Sequence, residues 1–273
     1  MNLPPPRRMR ARPSIGWAAA GALLLAQGAV DATPASNAEV AASLAQGVAW
    51  IWPDSNGPSP DPGSRAPQRY REAAVLVEAL VLRAGGVERV GRRQPLSLPE
   101  GVSILPVVHV EATADTPDAF SAAQRSAVIA AVRRQAAAAQ AGSGMLQLDF
   151  EAPSRHRLAH AALLTDARAA LPPTVRLSIT ALAHWCAQGD WLDRLPVDEV
   201  VPMLYRLGPH AGEWRARFER GDTALARRCR GTALGFATND PPPAALLRRS
   251  ARAYWFDESA WSNPSRPPRH LFP

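Results

Sequence analysis

Lysine is missing from this chain of 273 residues, so every one of its 31 basic residues is arginine. A phosphate-binding loop of the Gly-x-x-x-x-Gly-Lys kind is therefore excluded. No Gly-x-Ser-x-Gly nucleophile elbow occurs, and no glycine-rich dinucleotide fingerprint follows any apolar run. Apolar runs of membrane-spanning length are also lacking. The longest, Ile15 to about Ala26, falls well short of the roughly 20 residues a span needs. Basic runs interleaved with aromatics are absent too, although the formal charge is +7. Arg7, Arg8, Arg10 and Arg12 supply four of those seven charges, and the remaining arginines are scattered among acids. With alanine and proline also abundant, this is the signature of GC-rich coding, not of a basic surface, and no nucleic-acid partner is expected.

An apolar content of 47% is ample for a folded core. The first thirty-odd residues have the order of an export signal: basic Arg7 to Arg12, the apolar stretch, then small residues. Cleavage after Val30-Asp31-Ala32 would start the mature chain near Thr33, leaving it without a membrane span. An uncleaved N-terminal anchor is the alternative. No cysteine follows the apolar run, which argues against a lipid anchor. The expected location is the periplasm or the exterior.

Residues 33 to 47 read as a small, polar lead-in. Val48 to Trp52 is a short strand with Trp50 and Trp52 on one face, and residues 53 to 67 are a Pro- and Gly-rich loop. Ala73 to Leu82 is a strand with a helix as competitor, and Val87 to Arg93 an edge strand. Val102 to Glu111 is a buried strand ending in His109 and Glu111. From there strands and helices alternate. A helix at 118–141 stops at Gly142 and Gly144, and a strand follows at Met145 to Glu151. A helix spans about 156–171, and a strand runs over 174–182. A helical turn near Trp191, a strand at 199–205, a helix at 213–230 broken at Gly221, and a strand at 232–238 come next. A helix at 242–250 and a strand at Arg252 to Phe256 complete the series. The tail from residue 262 is Pro-rich and irregular.

Strands separated by helices pair in parallel through right-handed crossovers. Eight such strands in about 240 residues predict an α/β fold of the (β/α)8 TIM-barrel type, irregular in its first two units, as a single domain over residues 33–261. A doubly wound open sheet is the alternative. In the barrel, Cys186 follows one strand and Cys229 precedes another. That places them at opposite ends, roughly 17 Å apart across a strand of ordinary length, so no disulfide is expected.

Active sites of such barrels lie at the carboxyl ends of the strands. Trp50, Trp52, His109, Glu111, Gln147, Asp149, Glu151, His184, Trp185, Met203, Tyr205, Arg206, Asn239, Asp240, Trp255 and Asp257 fall there. Gln147, Asp149 and Glu151 alternate with Leu146, Leu148 and Phe150, so the two acids share a face. Buried acids are costly unless used, although acids at 149 and 151 could also serve the N-terminus of the helix that follows. Carboxylates among aromatics suit a sugar ligand, with rings for stacking and acids for proton transfer. His109, Glu111, Asp149 and Glu151 would have to converge across strands to hold a metal, and neither a metal nor a cofactor is expected.

Gly144-Met145-Leu146-Gln147-Leu148-Asp149-Phe150-Glu151 resembles the fourth-strand signature of chitinase-like glycoside hydrolases, which ends in Asp-x-Glu. Val201-Pro202-Met203-Leu204-Tyr205 is similar to their sixth-strand Met-x-Tyr segment. The resemblance implies Glu151 as general acid, Asp149 as the neighbour that tunes it and Tyr205 as a transition-state stabiliser. The chain departs from that pattern at Gln147, where an earlier aspartate belongs, and at Arg206, where an acid follows the tyrosine. A second resemblance covers about residues 100 to 240. Val107 to Glu111, Leu148 to Glu151, Leu177 to Leu182, Trp185-Cys186 and Val200 to Tyr205 look like an uncharacterised family of exported bacterial barrels, a domain of unknown function. The expectation is a monomeric, glycoside-hydrolase-like barrel acting on a glycan, or a carbohydrate-binding barrel without turnover.

Overall fold

The computed structural model describes residues 33–52, 70–92, 95–96 and 98–257. The expected export segment, the loop at 53–67 and the tail from residue 262 lie outside those residues. Among the described residues, no helix is long and apolar enough to cross a membrane.

Eight strands close into a parallel ring: β1 (Val48–Ile51), β2 (Glu72–Arg83), β4 (Ser103–Ala112), β5 (Met145–Glu151), β6 (Arg176–Leu182), β7 (Glu199–Met203), β8 (Ala233–Ala237) and β9 (Arg252–Phe256). The closing pairs are β1 with β2 and β1 with β9. The edge strand β3 (Gly86–Gly91) stands outside the ring, hairpinned antiparallel onto β2. The helices are α1 (Asn37–Gln46), α2 (Ala122–Ala141), α3 (Arg157–Ala170), α4 (Ala211–Arg220) and α5 (Ala244–Arg249). The fold is the expected (β/α)8 barrel. Its irregular side is also where expected, with the β3 hairpin in place of a helix between β2 and β4.

Each strand divides its residues between two cores, because alternate side chains point to opposite faces. In β5, Leu146, Leu148 and Phe150 join the apolar layer between barrel and helices, with Val128, Val132, Leu163 and Leu164. The inner cluster holds Val48, Trp50, Leu105, Val107, Met145, Val201, Tyr254 and Phe256. A β-bulge between Leu76 and Glu78 breaks the alternation in β2. Unbroken alternation from Glu72 would send Glu78 inward. The bulge instead puts it on the outer wall, between Arg89 of β3 and Arg134 of α2.

Two expectations are corrected. Residues 37–46 form a helix, α1, where only a small, polar lead-in was expected. Ser36 Oγ accepts the Glu39 N–H, and the Glu39 carboxylate accepts the Ser36 N–H at 2.8 Å, a capping box. This start is then anchored by Val40 and Leu44, both buried.

Cys186 and Cys229 form a disulfide, with Cα atoms 5.8 Å apart. The expectation of separated thiols assumed that a residue after one strand and a residue before another stay at opposite ends. Both cysteines instead lie in 3-10 turns packed on the outer wall, Ala183–Ala187 and Arg227–Arg230. The turns are tied together directly, the Ala226 N–H donating to the Cys186 carbonyl at 2.7 Å. The Asp193 carboxylate accepts the Arg227 and Arg228 N–H groups at 2.9 and 2.8 Å. Gly221, left-handed at φ 62, ends α4 and frees the chain to make the second turn.

Candidate active site

The inside of the barrel is built in layers, and the lowest is polar. Arg252, the first residue of β9, reaches the Glu72 carboxylate at 2.8 Å and the Glu199 carboxylate at 3.2 Å. The Tyr254 hydroxyl donates to Glu199 at 2.6 Å and accepts from Arg252 at 3.1 Å. Above this floor, the Trp50 indole N–H donates to Gln147 at 2.7 Å, and the Gln147 amide donates to Ser178 at 3.1 Å. Ser178 in turn donates to Glu199 at 2.8 Å, joining the two layers. Trp50 lies so close to β8 that a Cβ on Gly235 would stand 2.7 Å from its ring. Trp50 and Gln147, expected on a substrate-binding rim, are thus buried beneath the mouth with their polar groups already committed.

The mouth begins one layer higher. Parallel register sets His109 beside Asp149 and Glu111 beside Glu151. His109 Nδ1–H donates to Asp149 Oδ2 at 2.8 Å, and the Thr180 hydroxyl of β6 donates to Asp149 Oδ1 at 2.5 Å. The other ring nitrogen, Nε2, faces Glu151 at 4.0 Å. Trp52 stands edge-on to the imidazole, its centroid 5.9 Å away, and meets Phe256 at 5.8 Å. Tyr205 stacks on Phe256 at 5.6 Å, and its hydroxyl donates to Met203 Sδ at 3.3 Å. Arg206 follows at the lip with φ 52, the one left-handed non-glycine among the described residues. Such a conformation costs about 1 to 3 kcal/mol and persists where the surroundings demand it.

These placements pull the acids apart in proton affinity. Burial pushes Glu151 up to about 7; the charges of Asp149 and Glu111 add to that push, while His109 and Arg206 oppose it. Burial would raise Asp149 as well, but the hydrogen bond and charge of His109, with the Thr180 hydroxyl, hold it below the usual carboxylate range. For His109, burial alone would favour the neutral ring. The hydrogen bond and charge of Asp149, together with Glu151 and Glu111, overcome it and hold the imidazole above its ordinary value.

His109, Glu111, Asp149, Glu151, Trp52, Met203, Tyr205 and Arg206 therefore belong to one mouth. Thr180 was missed, although its parity with Ser178 on β6 marks it as inward-facing. Other expected rim residues go elsewhere. Trp255 is fully buried on the opposite side of the barrel wall, its N–H donating to Ser43 of α1 at 3.2 Å. Tyr254 and Phe256 are the inward residues of β9. Trp185 packs in the outer layer against Trp191 and His160, next to the exposed His184. Asp240 pairs with Arg215 at 2.6 Å, and Asn239 precedes it on the exposed turn after β8. His156 and His160 have the one-turn spacing of paired ligands, but they do not converge. His156 Nε2 meets the Thr116 carbonyl at 3.2 Å, while His160 stacks on Phe150 at 3.9 Å. Among the described residues, no group of three or more His, Cys, Asp or Glu side chains is arranged to hold a metal ion.

No family model matches the chain, and no curated protein matches it. Among solved structures, the Bacillus cereus spore cortex-lytic enzyme SleL aligns at 14% identity with a TM-score of 0.45. The alignment covers 75% of this chain and 57% of that one, so the chain spans less than two thirds of that enzyme's length.

Proposed function

We propose that the barrel hydrolyses a glycosidic bond in a glycan, with Glu151 as general acid and Glu111 as the second carboxylate. One observation carries the reading. Glu151 is pushed up to about 7, so a large share of it stays protonated at neutral pH, while Asp149, two residues away on the same face, is held ionised. Acid–base sites are recognised by neighbouring groups driven to opposite protonation states. Glu111 and Glu151 sit side by side in register on adjacent strands, which makes their carboxyl groups neighbours at the mouth, and glycoside hydrolysis works with such a pair of acids. Trp52 and Tyr205, both packed on the buried Phe256, supply the aromatic wall on which sugar rings stack.

In this reading, Glu151 delivers its proton to the glycosidic oxygen as the bond to the anomeric carbon breaks. The bonding electron pair leaves with that oxygen. Water supplies the new hydroxyl at the anomeric carbon and the proton that restores the two carboxyl groups. Both Asp149 oxygens are occupied by His109 and Thr180, so Asp149 serves the site through its neighbours. The test is release of reducing ends from purified bacterial cell-wall glycans and exopolysaccharides by the native protein and by Glu151→Gln. Turnover by the native protein with loss in the variant is expected, and equal turnover by both would remove Glu151 as the acid.

A second reading, a carbohydrate-binding barrel without turnover, draws on the departures from the chitinase-like pattern. Gln147 is tied to Trp50 and Ser178 in place of an acid, and Arg206 stands after Tyr205. Glycan binding by the native protein with no new reducing ends would select it. We further infer that the protein works outside the reducing cytoplasm, because Cys186 and Cys229 are joined and such bridges persist in oxidising compartments. Two titratable thiols in the unfolded, non-reduced protein would contradict this.

A further inference from the structure

We infer that His109 is a positioning residue whose imidazolium, fixed by Asp149 and turned toward Glu151, decides which of the two acids carries the proton. The inference rests on the reading of Glu151 as general acid and extends it, since nothing in the chitinase-like resemblance assigns a role to His109.

The geometry supports it on three sides. Nδ1–H donates to Asp149 Oδ2 at 2.8 Å, which sets the ring orientation and leaves Nε2 directed at Glu151 at 4.0 Å. Thr180 occupies the other Asp149 oxygen at 2.5 Å, so the aspartate cannot turn away from the ring. The Trp52 indole packs edge-on against the ring, with 5.9 Å between centroids. The charged groups facing this cluster are Asp149 and Glu151 from β5, Glu111 from β4 and Arg206 after β7. At 4.0 Å Nε2 is beyond a direct hydrogen bond, yet close enough for its charge to be felt strongly. That charge matters most when Glu151 has given up its proton, because the new carboxylate then lies among two other acids. An interaction that strengthens as the proton leaves lowers the barrier, not merely the energy of the bound substrate.

The test begins with bell-shaped pH profiles of reducing-end release for the native protein, His109→Asn and His109→Gln, on whichever glycan of the panel the native protein cleaves. The alkaline limb reports loss of the Glu151 proton. Removing a positive neighbour raises the affinity of Glu151 for its proton, so this limb moves to higher pH, by about 1 unit or more. kcat falls while KM changes little. Lower activity with the alkaline limb in place would mean a merely structural ring and would overturn the inference, while leaving Glu151 as the acid. A second measurement does not depend on turnover. The nitrogen-15 spectrum of the histidine rings at neutral pH is expected to show both His109 nitrogens protonated in the native protein and in Glu151→Gln, and one deprotonated in Asp149→Asn. A neutral His109 in the native protein would overturn the inference, whatever becomes of the glycosidase reading.

Discussion

The floor and the mouth of this barrel both enclose carboxylates, yet they treat them in opposite ways. At the floor, Arg252 stands between Glu72 and Glu199 and lies within hydrogen-bonding reach of Tyr254, which itself donates to Glu199. Each acid has a cation or hydroxyl at bonding distance, and the network continues through Ser178 into Gln147 and Trp50. At the mouth, Asp149, Glu111 and Glu151 share His109, with Arg206 at the lip. Three acids gathered round one imidazole cannot all be ionised at low cost, and the proton that remains settles on Glu151. Inward-facing acids thus serve cohesion at the floor, on β2 and β7, while those at the mouth, on β4 and β5, are left to compete for a proton. What separates the two roles is the cation supply. A guanidinium holds its charge throughout the working pH range, whereas an imidazole does not.

The largest expected difference between the ends comes from Glu151→Gln. General acid catalysis contributes on the order of 10² to 10⁴ in rate, and a loss of that size in reducing-end release is expected. Stability should move the other way. Glu151 is raised from 4.5 to about 7 on folding. Its contribution is therefore intact below pH 4.5 and is lost as pH rises through 7, where the enclosed carboxyl must either hold its proton against solvent or ionise in place. Glutamine does not ionise, so the variant should be more stable to urea at pH 8, by roughly 2 to 3 kcal/mol, and match the native protein near pH 4. A variant that is less stable at pH 8 would place Glu151 with the cohesive acids.

Arg252→Met tests the floor. It leaves Glu72 and Glu199 enclosed without their cation, and removing one partner of such a network costs about 3 to 5 kcal/mol. Urea denaturation should show that loss, while the pH limbs of activity stay in place. Severing the Cys186–Cys229 bridge by a double serine substitution belongs to the same range. The bridge closes a separation of 43 residues, for which chain entropy gives about 4 kcal/mol. Gly235→Ala is next in size. Its methyl would stand 2.7 Å from the Trp50 ring, and overpacking of this kind costs about 1 to 3 kcal/mol. A Tm unchanged by Gly235→Ala would show that Trp50 has room to move, and that the support beneath the mouth is looser than described.

How much of this could be read beforehand follows from where alternation holds. The barrel was legible because each inward residue is flanked by outward apolar ones in β4, β5 and β6, and because Gly142, Pro172 and Gly221 mark element ends. The acids of β5 followed from the same parity. Trp255 was misplaced because its indole resembles a sugar platform, although parity with Arg252 puts Tyr254 and Phe256 inside and Trp255 outside. The capping box of α1 was present as Ser36 and Glu39 but lay in a stretch of small residues. The disulfide was not legible, since the strand order says nothing of 3-10 turns that lie along the outer wall. Nor was Glu78, whose outward direction depends on a bulge that leaves no pattern in the chain. Local periodicity reads well; the pairings that cross between layers do not.

Ser178 is the joint between the two ends, and its removal is the smallest change that sharpens the contrast. Its hydroxyl accepts from Gln147 at 3.1 Å and donates to Glu199 at 2.8 Å. Ser178→Ala leaves the Gln147 amide short of an acceptor, while Glu199 keeps Tyr254 and Arg252. The net cost of one such hydrogen bond is about 1 kcal/mol, to be read as a small shift in the urea midpoint. Turnover should not change, because Asp149 is fixed by His109 and Thr180, neither of which bonds to Ser178. A displaced pH profile in Ser178→Ala would show instead that the floor network reaches the acids at the mouth. The two ends would then be one electrostatic unit, with Gln147 passing the effect from layer to layer through its strand.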